Sequence, residues 1–410
     1  MYNRANMAVS RSKENINIYM STFLLIYISS GYSVIAKQGT VVLLYCLGLF
    51  AYIIFTNIYA LSKIRLTSVV CLAIAVISYI VNGEDSKQTI ILISFFCLAI
   101  IFSSSYSVER WCKAYVKVMS LIAVCSLGLY VMSIATPSLI NILPKVTNSA
   151  GLQKGTIFLA VTPTANRNYG CFWEPGAFQT YILLAFIIEV FKFNAESKKR
   201  IAILLITLVT TFSTAGYAAM LIAIVAVLMS GVTDSAMGKN ARRIIILALI
   251  ACVVSYYIIK NVYPQLYYTV FGKLEDYGTR KSENSSTGVR MNSIIVVFKV
   301  FAENPVFGVG STKLKKLFMD MYGHGMVTCT YANWFAYFGT LFGSLMIYGL
   351  FMFTRVFTNK IPVRIVLFLA FMASITSEDY VMNPSILIII FYGFQAAAKY
   401  GKIRLGGRYV

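Results

Sequence analysis

The residues most capable of chemistry lie close together at 166–179, directly before an apolar run. This stretch reads Asn-Arg-Asn-Tyr-Gly-Cys-Phe-Trp-Glu-Pro-Gly-Ala-Phe-Gln and combines opposite charges, amides and aromatic rings. The rings could stack on a sugar, although aromatic belts that only anchor a membrane protein use the same residue types. Because crossing a bilayer requires no charged group, we expect a site for a charged, sugar-like substrate. Its candidate residues are Arg167, Asn168, Tyr169, Trp173 and Glu174.

Three arginines could bind phosphate oxygens. Arg167, Arg280 and Arg290 carry planar guanidinium forks that match phosphate and are always charged. We expect them to hold a diphosphate at the outer membrane surface. For each one alone, a solvated arginine or one that contacts lipid headgroups is the competing interpretation.

Carboxylates and one histidine are the candidates for proton transfer. Glu174, Glu378 and Asp379 are predicted near the outer ends of helices, where a carboxylate could act as general base toward a hydroxyl. A structural salt bridge to one of the arginines is the alternative. His324, the sole histidine, lies between two glycines and is a candidate substrate contact.

Composition indicates a polytopic α-helical membrane protein. Hydrophobic residues make up 58% of the chain and charged residues 12%, and the mean hydropathy is +0.73. The net charge of +21 does not indicate nucleic acid, because the basic residues lie in short segments between apolar runs and set membrane topology. One histidine and the lack of a C-x-x-C pair predict no metal site and no cofactor. Only Cys171 and Cys329 could face an oxidising compartment.

The apolar runs predict about twelve spans in a single integral membrane domain, 1–410. The expected spans are 16–36, 40–60, 66–82, 88–106, 115–136, 176–193, 201–212, 214–232, 244–260, 333–353, 364–376 and 384–398. They place all the short basic clusters, from Lys63/Arg65 to the C-terminal one, on the cytoplasmic side together with both termini. A periplasmic segment, 137–175, and a large periplasmic loop, 261–332, then face outward. Within that loop we expect an interfacial helix over 291–301, followed by a Pro/Gly turn.

Residues 201–232 are difficult to assign to membrane spans. Basic clusters flank them on both sides, which requires an even number of crossings, but 32 residues are too few for two spans of about 20. We expect two short helices that break at Ser213-Thr214-Ala215-Gly216, with the turn recessed into the membrane. One long tilted helix is the alternative.

Several motifs resemble the bacterial O-antigen polymerase and O-antigen ligase superfamily over roughly residues 160–390. The motifs are Arg-Asn-Tyr-Gly-x-Phe-Trp-Glu-Pro-Gly-Ala-Phe-Gln at 167–179, Ser213-Thr214-Ala215-Gly216, Arg290 followed by Glu303-Asn304-Pro305-Val306-Phe307-Gly308-Val309-Gly310, and Tyr331-Ala332-Asn333-Trp334 with Gly339. The resemblance implies an all-α, glycosyltransferase C-like fold with a large periplasmic loop. It implies an undecaprenyl-diphosphate-linked oligosaccharide as donor, with neither nucleotide nor metal. Arg290 matches the arginine that binds the diphosphate, and Asn333 matches a motif position that we take as substrate-binding.

The chain departs from the ligase pattern in two places. Ala215 and Gly216 stand where ligases carry an arginine, and Ala332 stands where they carry a histidine. We therefore expect a polymerase of O-antigen repeat units in the bacterial inner membrane, with Arg167 as the second diphosphate ligand. Ligase, and flippase or exporter of lipid-linked oligosaccharide, are the alternatives. Besides its lipid-linked substrate and membrane lipid, a chain-length regulator is a candidate partner.

Overall fold

The computed structural model describes residues 2–30, 39–136, 145–148, 151–155, 160–161, 167–231, 286–323 and 327–404, with a few isolated positions between them. Helices dominate this part of the chain. They are α1 (Tyr2–Ser29), α2 (Gly39–Thr56), α3 (Leu66–Val81), α4 (Ser86–Ser105), α5 (Val108–Ala135), α6 (Pro175–Lys192), α7 (Lys198–Thr210), α8 (Thr214–Ser230), α9 (Ser286–Glu303), α10 (Ser311–Tyr322), α11 (Thr330–Phe353), α12 (Ile361–Ile375) and α13 (Pro384–Arg404). Short 3₁₀ turns at Ile58–Lys63 and Thr354–Val356 follow α2 and α11.

A helix occupies each predicted span whose residues the structure describes, although α1 and α5 begin well before the apolar run does. By length and composition, α4, α5, α6 and α11 are long and apolar enough to cross a membrane, and shorter apolar helices accompany them. The chain is therefore a helical protein of membrane type. The predicted span at 244–260 lies almost entirely outside the described residues, so the number of about twelve spans stays a prediction.

A small antiparallel sheet is the departure from the all-α prediction within the described residues. Its strands β1 (Lys145–Asn148), β2 (Gly151–Gly155) and β3 (Ala160–Val161) pair in chain order. They lie inside the segment 137–175, which ends in the motif and for which the all-α prediction included no strand. Short polar strands such as these have no apolar run by which a hydropathy pattern could reveal them.

Basic residues gather at one end of the helix bundle. A cleft there is lined by cations from four separate elements, Arg65, Lys192, Arg355 and Lys399. We call this the basic end, and we call the opposite end, where α6, α8, α11 and α13 begin, the site end. Members of the predicted basic clusters thus share one end, as the positive-inside rule requires. The side of the membrane that each end faces stays a prediction.

The segment 201–232 forms two helices, as predicted. α7 and α8 are separated by Thr211, Phe212 and Ser213, and the Ser213 hydroxyl caps α8 by accepting from the Gly216 N–H at 3.3 Å. α7 begins beside Glu189 at the basic end, and α8 returns there, because Lys360 donates to the Ser230 carbonyl at 2.9 Å. At about 20 Å and 26 Å, both helices are shorter than a full bilayer. That the break between them is recessed into the membrane at the site end stays a prediction.

The central helices are α6 and α13. Every residue of α6 from Pro175 to Phe191 is buried, and α6 packs against α5, α7, α8 and α12. α13 packs against α1, α4 and α11. Van der Waals contact drives such packing within a lipid bilayer, because lipid tails remove the hydrophobic advantage of burial. α6 is thereby a rigid element on which to hold the motif that precedes it.

Candidate functional site

The loop 167–174 is fixed to three surrounding elements at the site end. The Asn168 N–H donates to the Thr210 carbonyl at 2.9 Å, and the Trp173 N–H donates to the Ser30 carbonyl at 3.2 Å. The Asn168 side chain is fully buried and donates to the Thr210 hydroxyl at 3.1 Å. Glycine at position 170 has a φ of +53°, and the Phe178 ring fills the space that a Cβ would occupy. These contacts give the loop one defined conformation.

Glu378 lies at the N-terminus of α6 and contacts the motif directly. Its Oε2 accepts from the Trp173 indole N–H at 3.0 Å, and the side chain is only 6% exposed. A Cβ at position 176 would lie 2.5 Å from Glu378 Oε1, so glycine is needed there for the carboxylate to approach. The N-terminus of a helix stabilises negative charge nearby. The structure thus joins two predicted site residues, Trp173 and Glu378, that are far apart in sequence.

A buried polar network extends from Glu378 into the bundle. The Thr330 hydroxyl donates to the Glu378 carbonyl at 2.8 Å and accepts from the Tyr380 N–H at 2.9 Å. The Tyr380 hydroxyl lies 3.2 Å from Thr180 Oγ1, which also bonds to Ser374 at 2.9 Å. Burial raises the pKa of Tyr380 well above its ordinary value, so this phenol stays neutral. The network rigidly links the starts of α6 and α11 to the turn 376–383.

Asn333 is a buried amide in this region for which the described residues provide no side-chain hydrogen bonds. It is fully buried near the start of α11, and within the described part of the chain neither its Nδ2 nor its Oδ1 has a hydrogen-bond partner. The neighbouring Trp334 Nε1 is buried and without a partner in the same described residues. A buried amide without partners costs about 1–3 kcal/mol. A ligand that supplies both a donor and an acceptor, as a sugar hydroxyl does, would remove this cost.

Arg167 holds the break between α7 and α8. Its Nε donates to the Thr211 carbonyl at 3.0 Å, and its Nη2 donates to the Phe212 carbonyl at 2.8 Å. These carbonyls follow the C-terminus of α7, where a cation is favourable. Phe212 has a φ of +48°, in the left-handed region that residues with a Cβ seldom adopt. The guanidinium fork therefore stabilises the strained turn between the two short helices.

Arg290 lies near the start of α9, which packs against α11. Its side chain is outside the described residues. One turn further along α9, Ser293 is fully buried and its hydroxyl accepts from the Thr328 N–H at 3.1 Å. Thr328 lies two residues before Thr330, which bonds to Glu378. The backbone therefore brings the start of α9 to the same side of the bundle as Glu378.

Two of the sequence motifs pack onto each other through their backbones. α11 breaks at Gly339, where φ is +83° and ψ is −176°, and the segment 305–310 fills the break. The Thr340 N–H donates to the Pro305 carbonyl at 2.7 Å, and the Val309 N–H donates to the Ala336 carbonyl at 2.7 Å. A Cβ at position 339 would collide with the Val306 carbonyl. The Pro/Gly turn that follows α9 is thus a structural clamp on α11.

Apart from Arg167, the predicted site residues divide into three groups. Trp173, Glu174, Glu378 and Asn333 all lie at the site end, with Glu174 as the half-exposed N-cap of α6 whose side chain makes no bond to the helix. Asn168 and Tyr169 are buried and contribute to packing, so their role toward substrate stays a prediction. Arg280 and His324, and the side chain of Arg290, lie outside the described residues.

A helix over Ser286–Glu303 contains the predicted helix 291–301 and extends beyond it at both ends. It begins five residues earlier, in the stretch Ser-Thr-Gly-Val-Arg that precedes the apolar run. That this helix lies at the membrane interface stays a prediction. Its Ser293 and Val297 are buried, so one face packs on the bundle. A second helix, α10, also lies within the predicted large loop. It carries exposed lysines at 313, 315 and 316 on one side and buried Leu314 and Phe318 on the other.

Sequence reasoning missed Thr330, Thr180, Ser374 and Tyr380. These residues sit in or beside apolar helices, and their hydroxyls meet only because α6, α11 and α12 pack together. The available signal was a set of hydroxyl residues at the outer ends of predicted spans. Each type is common in membrane helices, so the signal alone does not identify a site.

The cysteines of the site end are reduced and buried. Cys171 and Cys329 are both free thiols. Burial raises the pKa of Cys171 to about 12 and also raises that of Cys329, so both stay protonated at neutral pH. Among the described residues no group of three His, Cys, Asp or Glu side chains could hold a metal ion. That the protein needs no metal stays a prediction.

The fold and site define a multi-helix membrane protein with a buried polar site, which contains a carboxylate, at one end of its bundle. A protein-family model described as O-antigen ligase, Wzy_C, matches residues 201–332. The match covers about a third of the chain and supports the predicted resemblance to the O-antigen polymerase and ligase superfamily, without distinguishing polymerase from ligase. It covers α7 to the start of α11 and includes Arg290. No match was found among curated proteins, and none among solved structures.

Proposed function

We propose that the chain polymerises O-antigen repeat units carried on undecaprenyl diphosphate, at the periplasmic face of the bacterial inner membrane. The family comprises membrane glycosyltransferase-like enzymes, both polymerases and ligases. The observation that carries the proposal is that the Trp173–Glu378 pair and Asn333, whose amide has no partner among the described residues, lie at the same end of the bundle, opposite the basic clusters. This is the end that the positive-inside rule assigns to the periplasm.

In the proposed reaction, a hydroxyl of an incoming lipid-linked repeat attacks the anomeric carbon of the growing chain. A new glycosidic C–O bond forms, and the bond between the anomeric carbon and the diphosphate oxygen breaks. The proton of the hydroxyl passes to the Glu378 carboxylate, which the Trp173 N–H orients. The electron pair of the broken bond leaves with undecaprenyl diphosphate.

Two arginines have different parts in this proposal. Arg290 stabilises the charge that develops on the leaving diphosphate, in the manner of a preorganised electrostatic donor. The contacts of Arg167 to the Thr211 and Phe212 carbonyls favour a positioning role beside the site. As second diphosphate ligand Arg167 stays a prediction.

A sugar fits the remaining side chains. Asn333 provides a donor and an acceptor for hydroxyls, and Glu174 is half-exposed at the entrance beside the start of α6. The ring of Trp173 packs edge-on against Tyr380 with centroids 5.6 Å apart, which holds it beside Glu378. Trp173 thereby forms one wall of the proposed sugar pocket.

Ligase activity is the second candidate, because the matching family model is described as O-antigen ligase. The two activities differ in acceptor, since a ligase transfers the finished chain to lipid A-core. A lipopolysaccharide gel from a deletion strain separates them. Core carrying a single added repeat supports a polymerase, whereas core with no added repeat indicates ligase or flippase. Lipid-linked repeats that accumulate on the cytoplasmic side single out flippase.

A further inference from the structure

The basic end contains a cleft that the proposed reaction does not use. It has a volume of about 900 Å³ and lies among the ends of α5, α6, α11 and α13. A second cavity of about 460 Å³ adjoins it, and the two share Arg65, Ser107 and Gln395. A cleft of this size is in the range that binds small ligands. It is separated from Glu378 by the length of α6.

The cleft has a strong excess of positive charge. Among the described residues that line it are the cations Arg65, Lys192, Arg355 and Lys399 and one carboxylate, that of Glu109. In the part of the chain that the structure describes, none of Arg65, Lys192 and Lys399 forms a salt bridge. Topology alone accounts for cations at this end, but it does not require cations from four separate elements to surround one cavity. An anion bound within the cleft would offset their mutual repulsion.

Exposed apolar surface begins at both edges of the cleft. On one side Arg65 directly precedes Leu66, and Leu66, Val69 and Val70 are 77%, 41% and 41% exposed at helical spacing along α3. On the other side Asn359 lines the cleft, and Ile361 follows at the start of α12 with 61% exposure. A cationic cleft continuous with apolar stripes matches a molecule with an anionic head and hydrocarbon tails.

We propose that this cleft binds the phosphate-bearing headgroup of an anionic membrane phospholipid, whose acyl chains lie along α3 and α12. The phosphate contacts Arg65, Lys192 and Lys399, and Gln395 and Ser107 offer hydrogen bonds to headgroup hydroxyls. Since the cleft joins α6 and α11 at the ends remote from Glu378, a bound lipid would stabilise the bundle that holds the site.

Three ligands added to the purified, delipidated full-length protein in neutral detergent test the proposal by thermal unfolding. Short-chain phosphatidylglycerol should raise the melting temperature in a saturable manner, because a ligand of the folded state stabilises it. Phosphatidylcholine of the same chain length, and inorganic pyrophosphate without chains, should have much weaker effects. Equal effects of the two lipids would contradict the proposal. Pyrophosphate as effective as phosphatidylglycerol would show a site for soluble anions instead.

A matched pair of double variants tests the location. Arg65→Gln with Lys399→Gln removes two cleft cations and should weaken phosphatidylglycerol binding about 25-fold, at about fivefold for each charge near a membrane surface. Lys198→Gln with Lys199→Gln removes two exposed cations of the same end that do not line the cleft, and should change binding less than about twofold. Equal losses in the two variants would overturn the assignment to the cleft. If the first pair does not fold, Lys192→Gln alone should give the fivefold loss.

Discussion

Glu378 and Trp173 are joined by one hydrogen bond of 3.0 Å. Separate substitutions can therefore test the charge of Glu378 and the packing of the Trp173 ring. Glu378→Gln keeps an acceptor for the indole but removes the proposed base, so we expect transfer to slow by about 10²-fold or more with normal folding. Trp173→Phe keeps the ring beside Tyr380 and should have a smaller effect. The measurement is the initial rate of polymer formation from lipid-linked repeats. Glu196→Gln, at an exposed carboxylate between α6 and α7 at the basic end, is the control and should stay within about threefold of wild type.

A rate for Glu378→Gln equal to that of Glu196→Gln would show that Glu378 has no role as a base. Glu378 would then be a structural acceptor for Trp173.

Arg167 should matter for stability. Arg167→Ala removes two charge-assisted hydrogen bonds to the carbonyls of Thr211 and Phe212, and we expect a loss of about 1.5–3 kcal/mol in the free energy of unfolding. Arg167→Lys keeps the charge but loses the guanidinium fork, so it should retain only part of the stability that Arg167→Ala loses. Thermal unfolding in detergent measures both, with the exposed Lys113→Ala as control. Unchanged melting of Arg167→Ala together with lost activity would assign the residue to the substrate instead.

The sequence allows candidate site residues to be chosen, but it does not reveal how they are arranged. Trp173, Glu378 and Asn333 could be chosen because charged, amide and indole groups are unusual at the ends of apolar helices. That Trp173 bonds to Glu378 could not be predicted, because it depends on how α6 packs against α12. For the same reason the sequence could not show that Asn168 is buried against Thr210.

The break in α11 at Gly339 is the most specific feature at the scale of the elements. Gly339→Ala forces a Cβ into the Val306 carbonyl at a φ of +83°, and should destabilise the fold by more than about 2 kcal/mol. Gly48→Ala is the matched control, because its Cβ meets no atom within 4 Å in the middle of α2. It should be neutral or slightly stabilising. Equal melting temperatures of the two variants would mean that the clamp between 305–310 and α11 contributes nothing.

The division of 201–230 into α7 and α8 was predictable, because basic clusters at both flanks require an even number of crossings and Ser-Thr-Ala-Gly begins a helix well. The three-stranded sheet was not predictable, since its strands are four, five and two residues long and carry no apolar pattern. The contact between the segment 305–310 and α11 was predictable only in part. Pro305, Gly308 and Gly310 indicated a turn, but the partner of that turn is a break in a helix more than twenty residues later.

The two ends of the molecule should face opposite compartments. In a variant with cysteine at the exposed position 313 of α10, an impermeant maleimide should label intact cells, whereas cysteine at exposed position 198 of α7 should react only after lysis. The native Cys171 should stay unlabelled in both, because burial raises its pKa to about 12. Labelling of position 198 in intact cells, with position 313 protected, would reverse the proposed orientation and place the site in the cytoplasm.

The proposed polymerase activity depends on Arg290, which the family motif identifies and α9 carries to the side of Glu378. Purified protein supplied with lipid-linked repeats should form a polymer ladder and release undecaprenyl diphosphate. Arg290→Ala should slow both by about 10²-fold or more, and Arg290→Lys by less, because lysine keeps the charge without the fork. A normal ladder at the normal rate from folded Arg290→Ala would contradict the proposed role in diphosphate departure.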